Sequence, residues 1–186
     1  NERSQEHPDD ARTHTYIQQG LQVIYRRGKG LLEFVENYRK LTRISAPMKT
    51  EIPLEQFLSD LQRLYPELEV QYKCPSSQLT WYADRTQMEQ VFINLLKNAM
   101  QAFEKSSSPA EEKHIHIRAY CDEAEAVLIE ISNNGPAIPP NIAEHIFIPF
   151  FTTKENGSGI GLSISRQIMR LSGGNLSLRP GKETTF

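Results

Sequence analysis

Between Thr15 and Ile44, apolar positions alternate at spacings of four and three: Ile17, Leu21, Ile24, Gly28, Leu31, Val35 and Tyr38. This heptad seam predicts one helix of about 30 residues, ~45 Å long at ~1.5 Å per residue. Such a helix does not bury its own seam and requires partner helices. Gly28 occupies a seam position and Gly30 follows it. Each costs ~1 kcal/mol against Ala in a helix, so close packing or a local bend is expected there. Residues 1–14 are polar and read as loose. Pro47 ends the helical region, Ile52-Pro53 reads as an extended turn, and Leu54 to Leu64 as a short helix.

Beyond this point the period changes. Glu69 to Cys74 and Leu79 to Ala83 read as strands, with Asp84 placed to cap the long helix that follows. In that helix Val91, Leu95, Ala99 and Ala102 form a face to bury, while Asn94, Lys97, Asn98 and Gln101 repeat on another. Ser106 to Glu112 is a polar loop. His114 to Tyr120 alternates strictly, Ile115 and Ile117 inward and His114 and His116 outward. Ala126 to Ile131 is a strand ending in a Gly/Pro turn. Asn141 to Ile148 reads as a short helix stopped by Pro149, Phe151 to Gly157 as a poorly ordered lid, and Ser163 to Ser172 as a helix. Asn175 to Leu178 reads as a strand, and Thr184 to Phe186 as the start of the last one. Strands and helices mix without regular βαβ alternation. The fold class is α+β: an α/β sandwich with a mixed sheet and helices on one face, preceded by a long helix.

Composition narrows the class. At 186 residues the chain holds one sizeable core plus an appendage, or at most two small domains. A net charge of -2 gives no general attraction to nucleic acid or anionic membrane. No apolar run approaches the ~20 residues of a membrane span. The two cysteines, Cys74 and Cys121, lack metal-ligand spacing and read as reduced thiols of a cytoplasmic protein. The His114/His116 pair has no third ligand nearby in sequence, so a solvated sheet face outweighs a metal site. The chain begins without Met and stops in mid-strand, and so reads as a fragment, with any membrane segment of its parent lying outside it.

The chemistry centres on amides and glycines. Asn94 and Asn98 lie one helical turn apart, ~6 Å along the axis, and amide oxygens are hard ligands suited to Mg²⁺. A solvated polar face is the alternative for this helix taken alone. Downstream, Ile131-Ser-Asn-Asn-Gly-Pro-Ala-Ile-Pro139 forms one glycine turn, Gly157-Ser-Gly-Ile-Gly161 opens onto a helix, and Gly173-Gly174 closes it. Glycine lets backbone approach phosphate closely, and a helix start offers free N–H groups to an anion.

This ordered set resembles the Asn box and the three glycine boxes of the Bergerat-fold (GHKL) ATP-binding superfamily. Phe147-Ile-Pro-Phe-Phe-Thr-Thr-Lys154 resembles the Phe box of sensor histidine kinases. The resemblance covers about residues 50 to 186. It implies an ATP-dependent protein-histidine kinase with ATP and Mg²⁺ as cofactors. Asn98 matches the Mg²⁺ ligand and Asn94 the more N-terminal Asn of histidine kinases, a second possible ligand; with Lys97 these are the catalytic candidates. Asn133, Gly135, Ala137, Ile138 and Thr184 match the adenine region. Phe151, Thr152, Thr153 and Lys154, then Gly157, Ser158, Gly159, Ile160, Gly161 and Leu162, match the lid and phosphate-binding turn. Lys97 and Lys154 are candidate phosphate contacts.

Two positions depart from pattern. Asn133 replaces the Asp that accepts from the adenine amine, and Ala137 replaces a Gly. ATPases and Ser/Thr kinases of the superfamily carry a Glu where Asn94 stands. An amide does not take a proton at neutral pH, whereas a neutral imidazole is already a nucleophile. Asn94 therefore favours transfer to His over hydrolysis; an ATPase or Ser/Thr kinase, or a degenerate nucleotide-binding dimerisation module, are the alternatives. The resemblance further implies that residues 1–48 hold the polar N-terminus and second helix of a dimerisation hairpin, and residues 49–186 the catalytic domain. It implies a homodimer through that hairpin and a response-regulator receiver domain as partner. The acceptor His lies on a first helix outside this sequence, with His7 and His14 poor substitutes.

Overall fold

The computed structural model describes residues 8–66, 68–73, 80–104, 113–121, 126–154, 157–179 and 181–186. His7, Cys74, the 106–112 loop and residues 155–156 of the expected lid lie outside them. Contacts group the chain into two units, Asn1–Arg43 and Ile44–Phe186.

The first unit is one helix, α1 (Pro8–Thr42). It begins at Pro8 rather than Thr15, so residues 8–14 are helical and not loose. Proline fixes φ near its helical value and lacks the N–H that a first turn leaves unpaired. The seam residues Ile17, Leu21, Ile24, Leu31, Val35 and Tyr38 are between 48% and 69% exposed. That leaves an apolar stripe exposed along this helix. A Cβ at Gly28 or Gly30 meets nothing within 4 Å. The close packing expected there is not made among the described residues, and the helix runs unbroken through both.

The second unit holds two sheets among its described residues. Strand β1 (Thr50–Pro53) pairs antiparallel with β3 (Thr80–Ala83), Thr50 opposite Ala83 and Pro53 opposite Thr80. The Ile52-Pro53 segment is therefore a strand end rather than a turn. The larger sheet has the order β2 (Leu68–Lys73), β4 (Ile115–Cys121), β5 (Val127–Asn133) and β6 (Thr184–Thr185). β2 and β4 are parallel and the other pairs antiparallel, which makes the sheet mixed. The helices are α2 (Leu54–Leu64), α3 (Arg85–Glu104), α4 (Pro140–Ala143) and α5 (Gly161–Ser172).

Periodicity decides what faces the core. On β4, Ile115, Ile117 and Ala119 are buried, while Arg118 is exposed and His116 and Tyr120 are half-buried on the other face. Helix α2 buries Leu54, Phe57, Leu58 and Leu61, and α3 buries Met88, Val91, Phe92, Leu95, Leu96 and Ala99. Phe57 is the hub, meeting Trp81 edge-on at 5.9 Å and Phe92 at 5.1 Å between centroids. Such pairs add ~0.5–1.5 kcal/mol beyond area burial. On the outer sheet face, Glu130 accepts from Tyr120 Oη at 3.0 Å and pairs with Arg179 at 2.6 Å. His116 and His114 each pair with a glutamate, Glu69 at 3.1 Å and Glu183 at 3.7 Å. Both imidazoles belong to this polar face.

Two expected elements are shorter than their patterns. After α4, His145 N donates to Ile142 O and Ile148 N to His145 O, so the segment tightens into three-residue turns before Pro149. Residues 175–178 form no strand among the described residues, and only Arg179 bridges Thr185.

Asp84 caps α3 as expected: its Oδ1 accepts from Gln87 N at 3.1 Å, while Oδ2 accepts from Met48 N at 2.9 Å. These N–H donors, Gln87 first and Met48 next, hold its carboxyl below the usual carboxylate range. A depressed pKa contributes stability that is full above the unfolded value of about 3.9 and is lost as pH falls through the lower folded value. Asp84→Ala should cost ~1 kcal/mol in urea unfolding near neutral pH. The difference from wild type should narrow below about pH 3.9; a difference constant with pH would show the carboxylate to be irrelevant.

Candidate functional site

Helical spacing alone brings the amide face of α3 together. Asn94, Asn98 and Gln101 project from successive turns, alongside the face on which Val91, Leu95 and Ala99 are buried. What they meet is set by the packing of α5 against α3. Asn94 Nδ2 donates to Gly161 O at 3.3 Å and to Ser165 Oγ at 3.2 Å. A backbone carbonyl only accepts, so Nδ2 is the atom that bonds to α5; Oδ1 also lies beside the start of α5, 3.7 Å from where a Gly161 Cβ would stand. Ser165 is fully buried. It is a supporting residue that the sequence pattern did not single out; its place one turn after Gly161 was the available signal.

The turn before α5 carries the backbone geometry. Gly159 has φ 67° and Phe150 φ 66°, and Phe150 N donates to Gly159 O at 2.9 Å. A Cβ on Gly159 would lie 2.5 Å from the Phe150 carbonyl carbon, whereas one on Gly161 would lie 3.7 Å from Asn94, an ordinary contact. Gly159 is thus the position where only glycine fits. Ile160 is buried and anchors the turn, Leu162 is half-buried, and Ser158 is exposed. At the far end Gly173 takes φ 89°, Gly174 N donates to Met169 O at 2.8 Å, and Lys49 Nζ caps Ser172 O at 2.7 Å.

From the Phe-rich segment, Phe151 packs on His145 with centroids 5.4 Å apart, and Thr152 and Thr153 are exposed. Lys154 N donates to Thr152 Oγ1 at 3.1 Å, and Gly157 N donates to Lys154 O at 3.2 Å. The described part of the expected lid therefore has defined bonds. Lys154 Nζ reaches α3, donating to Asn98 Oδ1 at 2.9 Å and to Gln101 Oε1. Lys97 is exposed on the same helix and does not share this cluster.

A second region lies at the ends of β5 and β6. Asn133 is 4% exposed; its Oδ1 accepts from Gly135 N at 3.1 Å and its Nδ2 donates to Thr184 O at 3.4 Å. Thr184 Oγ1 is buried with no protein partner. A buried hydroxyl is normally satisfied, so this one fits a water or ligand atom. Gly135 is buried under Ala102 and Phe103, Ala137 is exposed, and Ile138 is half-buried. Asn134 turns away from this region, its Oδ1 accepting from His114 N at 3.0 Å.

The donor sets fit the groups the resemblance implies. An ammonium already sits on Asn98 Oδ1, so that oxygen is aimed at a cation. Asn133 and Thr184 place neutral polar groups together at the ends of β5 and β6. Among the described residues no cluster of three or more His, Cys, Asp or Glu forms a metal site. None of their helices is long and apolar enough to cross a membrane.

Comparison with known proteins gives a consistent answer. Residues 83–186 match the family described as histidine kinase-, DNA gyrase B-, and HSP90-like ATPase. The C4-dicarboxylate transport sensor protein DctB of Rhizobium meliloti is 38% identical over 114 residues, which is 60% of this chain and 17% of that protein. The chain thus spans about a sixth of that relative. The nucleotide-free catalytic domain of histidine kinase ThkA is 32% identical with a TM-score of 0.60, covering 74% of this chain and 91% of that one. ThkA in complex with the response regulator protein TrrA is 26% identical with a TM-score of 0.64, covering 91% of this chain and 49% of that one.

The two glycines separate clearly by substitution. Gly159→Ala should cost ~1–2 kcal/mol, since an L-residue is forced left-handed and also clashes. Gly161→Ala should be neutral or slightly stabilising, because Ala is the better helix former. Urea denaturation of both variants measures this, and equal costs would show that φ at 159 is not the constraint.

Proposed function

The chain belongs to the histidine kinase-, DNA gyrase B-, and HSP90-like ATPase family and carries the catalytic ATP-binding domain of a sensor histidine kinase. From that premise we propose that it binds Mg·ATP and transfers the γ-phosphoryl group to a histidine on a dimerisation helix. From there the group passes to a response-regulator aspartate. The carrying observation is Asn94. An amide tied to Gly161 and Ser165 holds its place with no carboxylate to accept a proton from water or a hydroxyl. A neutral imidazole needs no such base. Its ring nitrogen forms the new bond to phosphorus as the bond to the bridging oxygen breaks and ADP leaves.

Asn98 would hold the metal through Oδ1, and Asn94 Oδ1, beside the start of α5, is the second possible donor. Mg²⁺, when bound, supplies charge neutralisation at the phosphate oxygens. Lys154 and Lys97 are the cations on this face of α3, and the first-turn N–H groups of α5 lie beside Asn94. Asn133 and Thr184 would read the adenine edge, with Thr184 Oγ1 supplying an unused polar group. The exposed seam of α1 supports residues 1–48 as a dimerisation segment and residues 49–186 as the catalytic domain, and supports a homodimer. A response-regulator partner is supported by the ThkA–TrrA complex.

The test supplies the acceptor separately. Incubated with γ-labelled ATP and a dimerisation domain carrying its histidine, the chain should place acid-labile label on that domain. It should release little phosphate on its own. Asn98→Ala should reduce transfer by well over the ~10–100-fold that outer-shell changes cost. Rapid phosphate release without acceptor would favour an ATPase, and label on the chain alone would place the acceptor within it.

Asn133 gives an independent prediction. A charge-assisted bond is roughly twice as strong as a neutral one, so Asn133→Asp should tighten ATP by about fivefold and increase its margin over GTP. The same change sets a carboxylate against Thr184 O, which now accepts from Nδ2 at 3.4 Å. Unfolding stability should therefore fall by ~1 kcal/mol. Unchanged affinity, base preference and stability would remove Asn133 from the adenine site.

A further inference from the structure

Lys154 reaches about one helical turn of α3 and finds two amide oxygens there. Its Nζ donates to Asn98 Oδ1 at 2.9 Å and to Gln101 Oε1. Asn98 and Gln101 are three residues apart on one helix, so their side chains converge without help from other elements. Both are acceptors only at these atoms, and together they make a small, neutral, oxygen-lined cation seat. The Lys154 backbone is pinned independently, by Thr152 Oγ1 and by Gly157 N. The ammonium therefore moves on its own stem, with no rearrangement of the backbone required.

We propose that Gln101 is a positioning residue: with Asn98 it parks the Lys154 ammonium on the same amide oxygen that a divalent cation uses, so metal entry and release of Lys154 toward the nucleotide phosphates are one exchange. The inference rests on the reading of Asn98 as the metal ligand. Two cations on one carboxamide oxygen repel strongly at partly buried separations, so Asn98 holds one at a time. The ammonium, once displaced by Mg²⁺, keeps its charge and its reach and is drawn to the negative charge of the polyphosphate. A free site would have to desolvate an amide oxygen before the metal arrives; here the ammonium keeps it paired. Gln101 sets how firmly it is held, since a charge-assisted bond is among the stronger ones available to a neutral acceptor.

The experiment measures the Mg²⁺ concentration for half-maximal binding of a fluorescent ADP, using the whole chain. Gln101→Met keeps the length and the helix propensity of an exposed position, so the fold is maintained. It should lower the Mg²⁺ midpoint by about threefold to tenfold, the scale of one such bond. Lys154→Met should lower it at least as far, while weakening ADP binding at saturating Mg²⁺. A midpoint unchanged in Gln101→Met overturns the proposal, as does a Lys154→Met variant whose midpoint stays at the wild-type value. Asn98→Ala separates the two levels of the argument. If its Mg²⁺ dependence is lost while Gln101→Met matches wild type, the exchange fails and the metal ligand stands. If Asn98→Ala retains the wild-type Mg²⁺ dependence, the ligand assignment fails and the exchange falls with it.

Discussion

The site depends on how one amide is held. Asn94 is fastened to α5 through the Gly161 carbonyl and the Ser165 hydroxyl, and this joins the helix that carries the polar face to the helix that follows the glycine turn. Because the carbonyl accepts only, the orientation of the amide follows from chemistry rather than from assignment. Were the helices to slide, Asn94 would lose both partners and the start of α5 would part from Asn98. The packed face behind them, with Leu95, Leu96 and Ala99 buried on α3 and Ile164 and Ile168 on α5, resists that slide.

The glycine turn is fixed by a different kind of force. Phe150 and Gly159 both take positive φ and share a backbone hydrogen bond. A phenylalanine in that region is strained, by ~1–3 kcal/mol in general. The strain is borne where the Phe-rich segment meets the glycine turn before α5. Backbone geometry and side-chain chemistry thus act on the same few residues.

The two faces of the larger sheet divide the labour between stability and surface chemistry. Inward isoleucines of β4 and β5 meet the helices, while Glu130 collects Tyr120, Arg118 and Arg179 on the outer face. Exposed ion pairs contribute little each, but Glu130 is shielded enough for its pairing with Arg179 to hold the short edge at β6. His114 and His116 lie on the same outer face, each beside a glutamate.

Most of the architecture was legible in periodicity, because burial repeats at the period of each element. The heptad seam, the α2 span, the inward face of β4 and the Asp84 cap follow from local residue types. Asn94, Asn98 and the glycine order marked a candidate site in the sequence, because residue type limits which atoms ligate cations or approach phosphate. The pairing of β1 with β3, the absence of a strand at 175–178 and the short α4 were not legible, since a strand requires a partner whose register is set elsewhere in the chain. Nor did sequence distinguish Gly159 from Gly161: both are glycine, and only the Phe150 carbonyl lying against one makes it obligatory. Lys154 and Lys97 were equal candidates by charge. Only tertiary structure turned Lys154 onto Asn98 and Gln101 and left Lys97 in solvent, because reach across two elements is decided by their packing and not by the identity of the side chain.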